Sequence, residues 1–228
     1  EDQKRYTEMM DYYGMWAHQI KTPIAAMRIL VQSGMDREEN EENQKLFRQL
    51  QMELFKTEQY VEMVLSYLKI GDIAKDMVLE RCDLGKVVRQ AVKKYSRLFI
   101  LQKLSLEMGE IAEIVLTDEK WLSFVVEQIL SNALKYTKSG SVSIYLEQEG
   151  VLVIKDTGIG ISAEDLPRIM EKGYTGYNGR IDKRSTGIGL YLCKKVMDKL
   201  HHQLRIDSED GKGTKVVLDL RRTQLDLE

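Results

Sequence analysis

The sequence predicts an α+β chain in two parts, an N-terminal antiparallel helical hairpin and then helices layered on one mixed sheet. Two observations predict it. Over the first third of the chain, apolar side chains recur alternately three and four residues apart, the spacing of a coiled-coil seam. Beyond about Arg81, short alternating or wholly apolar runs sit between helix-length periodic segments. Hydrophobic residues make up 43% of the 228, enough for a core in each part. A net charge of −2 gives no basic footprint, so nucleic acid is not an expected partner. Cys82 and Cys193 stand far apart and imply neither a disulfide framework nor a zinc site. No apolar run reaches membrane-spanning length, and no signal peptide is visible. The chain opens inside the heptad pattern without a start methionine, so the expectation is a soluble piece of a longer protein.

The first helix is expected from about Glu1 to Gln32, with Tyr6, Met10, Tyr13, Ala17, Ile20, Ile24, Met27 and Val31 as its seam. If Ala17 lies in the seam, His18 and Thr22 share an exposed face one turn apart. Pro23 removes a backbone donor and invites a kink, and Ser33-Gly34 ends the helix with Gly34 as a left-handed cap. The polar stretch from Asp36 to Asn43 turns the chain. Phe47, Leu50, Leu54, Thr57, Val61, Val64 and Leu68 then mark a second helix. A lone hairpin cannot cover both seams, so a twofold dimer forming a four-helix bundle is expected, ahead of a hairpin docked on the rest of the chain. Gly71-Asp72-Ile73 ends this part and begins a linker.

In the second part, Asp83 is placed to cap a helix carrying Leu84, Val87, Val88, Ala91, Val92 and Tyr95. Leu104–Leu106 and Ile114–Leu116 read as short strands. Asp118 caps a helix through about Tyr136. Ser141 to Glu147 alternates strictly, and Gln148-Glu149-Gly150 turns into the apolar strand Val151 to Ile154. Pro167 to Thr186 is basic, glycine-rich and aperiodic. Leu190, Val196, Met197 and Leu200 mark one more helix, and Gln203–Ile206 and Thr214–Leu220 read as closing strands.

Three features carry chemistry. Asp156-Thr157-Gly158-Ile159-Gly160 follows an apolar strand, where a carboxylate can accept from an exocyclic amine such as adenine's. A tight turn with a capping aspartate explains it equally well. Thr186-Gly187-Ile188-Gly189-Leu190 opens a helix, and free amides with the helix dipole favour phosphate there. Gln128, Asn132, Lys135 and Tyr136 form a polar stripe along one helix. An amide oxygen there can ligate Mg²⁺, and a lysine one turn away can meet phosphate charge. A solvated helix flank is the alternative.

In order along nearly the whole chain, His18 on a dimerising hairpin, then Asn132, then the two glycine boxes, closely resemble a bacterial two-component sensor histidine kinase. The resemblance implies a dimerisation and histidine phosphotransfer domain at 1–71, a linker at 72–81, a catalytic ATP-binding domain at 82–222 and a tail at 223–228. It also implies a two-layer α/β sandwich for the ATP-binding domain, similar to those of gyrase, Hsp90 and MutL. ATP and Mg²⁺ are the implied cofactors. A second copy of the chain and a response-regulator receiver domain are the implied partners, and the chain would be the cytoplasmic portion of an inner or cell membrane protein.

By position, the resemblance makes His18 the phosphoacceptor and Thr22 the residue that positions water for dephosphorylating the partner. Asn132 would hold Mg²⁺, with Gln128 where many members have another asparagine. Lys135 and Tyr136 would reach phosphates or ribose. Asp156 would bind the adenine amine with help from Thr214 through water, and Gly158, Gly160, Gly187 and Gly189 would shape the pocket. Arg168 to Ser185 would be the lid over ATP, with Met170 and Tyr174 where members often have phenylalanines. There are two departures. Gln19 stands where most members have a carboxylate able to act as general base on the imidazole. Ser185-Thr186 begins the second glycine box where many have glycine. The His-Gln-Ile-Lys-Thr-Pro version also resembles short-sensor kinases that partner peptide-antibiotic transporters. Two rivals share the nucleotide motifs: an ATP-driven conformational machine without phosphohistidine, and a dimeric scaffold with a dead site.

Overall fold

The computed structural model describes residues 2–69, 77–176 and 186–222, with side chains from Gly14 onward except at positions 15, 17, 18 and 69. The chain divides into two compact units, Glu1–Asp72 and Ile73–Glu228.

The first unit is a helical hairpin of α1 (Asp2–Arg37) and α2 (Glu41–Lys69). Asn40 caps α2, its side-chain oxygen accepting from the Glu42 amide at 2.8 Å. Pairs across the hairpin fix an antiparallel register: Lys21 with Glu62, Arg28 with Glu58, and Gln51 donating to Gln32. The expected stop at Ser33-Gly34 is not there, because α1 runs through it to Arg37. Gly34 is a packing glycine rather than a left-handed cap. A Cβ on it would meet the Phe47 ring of α2 at 2.7 Å. The helix also continues through Pro23, whose side chain is exposed.

Each expected seam splits into an inner and an outer half. Ile24 is buried and Val31 half-buried, whereas Met27 between them is 44% exposed. On α2, Phe47, Leu54, Val61 and Leu68 are half-buried, whereas Leu50, Thr57 and Val64 are exposed. Both sets recur every seven residues. One lines the hairpin's own interface and the other faces outward.

The second unit holds two sheets, not the one expected. The larger has strand order β2-β4-β5-β7-β6, built from β2 (Ser105–Met108), β4 (Ser141–Gln148), β5 (Val151–Asp156), β6 (Gln203–Glu209) and β7 (Gly213–Asp219). β2 runs parallel to β4 and all other pairs are antiparallel. The smaller sheet pairs β1 (Glu80–Asp83) with β3 (Ile114–Thr117). Glu80 and Arg81 were expected in the linker but belong to β1, facing Thr117 and Leu116. The remainder of that linker falls mostly on 70–76, outside the described residues, as does the tail 223–228.

Helix α3 (Leu84–Gln102) packs against α4 (Glu119–Tyr136), and α4 and α5 (Gly189–Lys199) pack against β5 and β6 of the larger sheet, respectively. Asp83 caps α3 by accepting from the Lys86 amide. Asp118 caps α4 by accepting from the Trp121 amide at 3.0 Å, and its second oxygen accepts from the Val78 amide at 2.9 Å. One carboxylate thus starts the central helix and anchors the chain entering the unit. Leu122, Val125, Val126, Ile129, Leu130 and Ala133 of α4 are buried against Val142, Ile144, Leu152 and Ile154. Period-two geometry puts Asp156 on this same helix-covered face, beyond Leu152 and Ile154. On the opposite face Val151, Val153 and Val217 form a second apolar cluster under Tyr145. No helix among the described residues is long and apolar enough to cross a membrane.

Candidate nucleotide and phosphotransfer site

Asp156 ends β5 with only 7% of its surface exposed. Its Oδ1 accepts from the Gly158 amide at 2.8 Å. In register beside it lies Thr214 of β7. Burial pushes the Asp156 carboxyl above its ordinary value, and the amides of Gly158 and Thr214 and the Thr137 hydroxyl oppose that rise. Thr137, at the C-terminal end of α4, is 2% exposed, and its hydroxyl makes no well-aligned hydrogen bond among the described residues. A buried hydroxyl with unused capacity beside a buried carboxylate suits a ligand carrying both donors and acceptors. The sequence reading missed Thr137. The one signal available was its place directly after Tyr136, at the end of the polar stripe.

The first glycine box is packed as protein, not as open space. A Cβ on Gly158 would meet the Tyr136 carbonyl at 2.5 Å and the Thr137 hydroxyl at 2.9 Å. Gly160 has φ +69°, and a Cβ there would land on the Glu209 carbonyl. The Gly211 amide donates to the Ile159 carbonyl, and Ser208 accepts from the Ile161 amide while contacting Thr214 at 3.0 Å. These glycines therefore bring the β6–β7 turn against the Asp156 loop, which fixes the floor of the site.

In the second box Gly187 has φ +64°, and the Gly173 amide donates to its carbonyl at 3.0 Å. That bond ties the two sides of the expected lid together, and Tyr174 donates to Asp165 close by. Met170 is half-buried, and positions 177–185 of the lid lie outside the described residues. Gly189 opens α5, whose cap residue Ile188 offers no side-chain hydrogen bond to the first amides.

α4 packs against both α5 and β5, the strand that Asp156 ends, and carries the polar stripe. Asn132 and Gln128 are half-buried, with the Gln128 Nε2 donating to the Asn132 Oδ1 at 3.4 Å. Lys135 is exposed, its Nζ 5.2 Å from the Tyr136 ring centre. In the second unit Asp156, its partner Thr214 and the first glycine box therefore meet the C-terminal end of α4, which carries Asn132, Lys135 and Tyr136, while Gly189 of the second box packs on Gln128 nearer the middle of that helix. His18 lies on α1 in the other unit, four residues before Thr22. Gln19 and Thr22 are exposed there. Of the other two histidines, His201 is exposed, and His202 is buried with its Nε2 3.0 Å from the Thr117 hydroxyl.

One further donor cluster, Glu80, Cys82 and Glu119, stands at the opposite, N-terminal end of α4. Its thiol is buried and its pKa is raised, chiefly by burial, while Glu119 is ion-paired with Lys86. It takes no part in the site.

Residues 117–224 match the family described as histidine kinase-, DNA gyrase B-, and HSP90-like ATPase. The chain is 32% identical over 222 residues to the sensor histidine kinase YxdK of Bacillus subtilis (strain 168), covering 95% of this chain and 66% of that protein. It is 35% identical over 207 residues to the sensor protein kinase GraS of Staphylococcus aureus (strain MRSA252), covering 89% of this chain and 58% of that one. The chain thus spans under two thirds of the length of these curated relatives. In fold alone it resembles full-length ShkA in complex with AMPPNP, at TM-score 0.63 and 19% identity over 91% of this chain and 45% of that one. A DxGxG turn, an asparagine-bearing central helix and a second glycine box, preceded by a histidine-bearing hairpin, occur here in a chain with such relatives: it belongs to the sensor histidine kinase family.

Proposed function

We propose that the chain phosphorylates itself on His18 from ATP and passes the phosphoryl group to an aspartate of a response-regulator receiver domain. The observation that carries the nucleotide half is the buried Asp156 carboxylate beside the buried Thr137 hydroxyl. Such a carboxylate accepts from adenine's amine and repels the carbonyl that guanine carries at that position. The N-terminal amides of α5 suit phosphate, and Lys135 adds positive charge at the same end of α4.

Asn132 would hold Mg²⁺ through its half-buried amide oxygen, which fits a hard cation. When bound, that ion neutralises charge on the phosphates. The neutral His18 imidazole donates a lone pair to the γ-phosphorus, the bond to the ADP oxygen breaks, and the proton on the other ring nitrogen is released. Gln19 cannot take that proton, since a carboxamide is not a base at neutral pH. It can orient the imidazole by hydrogen bonding. Thr22, one turn away and exposed, would position water for removing phosphoryl from the regulator.

The exposed Met27, Leu50 and Val64 support a homodimer through the outer halves of the seams. A peptide-antibiotic transporter is the proposed membrane partner of the longer protein, on the resemblance of the His18–Pro23 segment. The test is incubation with γ-labelled ATP. Label that survives alkali and is lost in acid supports phosphohistidine. ATP binding without such label favours the conformational machine.

A further inference from the structure

We propose that Gln128 is a positioning residue: seated against Gly189, it fixes the Asn132 amide oxygen for the nucleotide's metal ion and does not itself bind that ion. The inference rests on the ATP–Mg²⁺ reading above. Gln128 and Asn132 are one turn apart on α4, and the atom Gln128 turns toward Asn132 is a nitrogen, donating to Oδ1 at 3.4 Å. An asparagine can present either oxygen or nitrogen to a pocket, and only the oxygen ligates a hard cation. A donor beside Oδ1 selects between the two. With the Asn132 amide alone reversed, two NH₂ groups would face each other, and restoring the hydrogen bond would require Gln128 to reverse as well against its Gly189 seat. In the observed orientation one lone pair of Oδ1 is engaged and the other is left for the ion.

The support behind Gln128 comes from the other helix. A Cβ on Gly189 would lie 2.6 Å from Nε2 and 2.8 Å from Cδ of Gln128. Glycine at the start of α5 is therefore the seat of this carboxamide, and Gly189, Gln128 and Asn132 form one chain of contacts across the α4–α5 interface. On this proposal Gln128 would position the ligand Asn132 rather than serve as the second ligand that the sequence leads one to expect.

The experiment titrates the full chain calorimetrically with ADP, in Mg²⁺ and in EDTA. Gln128→Ala and Gln128→Glu should each reduce the Mg²⁺-dependent gain in affinity about 10–100-fold and leave affinity in EDTA unchanged. A carboxylate cannot donate to Asn132 but is a better Mg²⁺ ligand than an amide. An undiminished or larger gain in Gln128→Glu overturns the proposal. Thermal melting without nucleotide or metal provides a second readout. Gly189→Ala should lower the melting temperature, and adding Gln128→Ala should recover most of that loss because the clash is gone. Simply additive losses overturn the contact. Wild-type chain that binds no ADP in either buffer would overturn the ATP reading, and this inference with it.

Discussion

Replacing Asp156 by Asn should separate nucleotide binding from stability. Burial raises the Asp156 carboxyl above its ordinary 3.8, so the folded chain holds that proton more tightly than the unfolded chain does. The ionised form therefore costs stability above the folded pKa, and the cost disappears as pH falls below the ordinary value. Asparagine is uncharged throughout and keeps an oxygen for the Gly158 amide, which now donates at 2.8 Å. Its NH₂ then stands where the second carboxylate oxygen was, donor against donor with adenine's amine. Losing a hydrogen bond to a charged acceptor costs about 1.5–3 kcal/mol, so ATP affinity should fall about ten- to a hundredfold. Calorimetry with ATP and GTP measures the affinity, and melting curves from about pH 4 to 8 measure the stability. At neutral pH the variant should melt at or above the wild-type temperature, and the gap should close toward acid. Undiminished ATP affinity in a folded variant, or a lower melting temperature at neutral pH, would refute the reasoning.

Other consequences follow from the same geometry. The Arg221 guanidinium beside Asp219 holds its carboxyl below 3.8, so this pair stabilises the fold above that pH and loses its effect as pH falls through the folded value. Asp219→Asn should therefore lower the melting temperature at pH 7, and the difference from wild type should shrink as pH falls through the folded value, by parallel melts. Val64→Glu puts charge on the outer seam, where Val64 is 39% exposed in the single chain. It should preserve helicity by circular dichroism and shift sedimentation equilibrium toward monomer; an unchanged dimer would show that the outer seam is not the interface. Gln19→Glu supplies the absent base and should speed autophosphorylation, within the roughly 10²–10⁴-fold that general-base catalysis supplies. An unchanged or slower rate in a labelling time course would assign Gln19 to orientation or phosphatase chemistry instead.

Local signals were the legible ones. Asp83 and Asp118 cap helices where the sequence puts them, because a capping carboxylate acts within three residues of itself. Strict alternation gave β4, and the apolar run after Gly150 gave β5. What failed was decided at long range. Gly34 looks like a helix stop, but its smallness serves the Phe47 ring of the next helix. Ile114–Thr117 was recognisable as a strand, yet its choice of β1 over the larger sheet has no local signature. The polar stripe on α4 could be read from spacing, whereas the seating of Gln128 on Gly189 joins residues on two helices far apart in sequence. The buried Thr137 hydroxyl became visible only once α4 and the Asp156 loop lay together.

The central claim is that His18 receives the phosphoryl group. The most direct measurement incubates the chain with γ-labelled ATP and maps the modified residue by mass spectrometry at neutral pH, for wild type, His18→Ala and His201→Gln. The account predicts label on His18 in wild type and in His201→Gln. It predicts no label in His18→Ala, whose ADP affinity should equal wild type because Asp156, Asn132 and Thr137 all belong to the other unit. Acid-labile label retained in His18→Ala, or mapped to a residue other than His18, would contradict it.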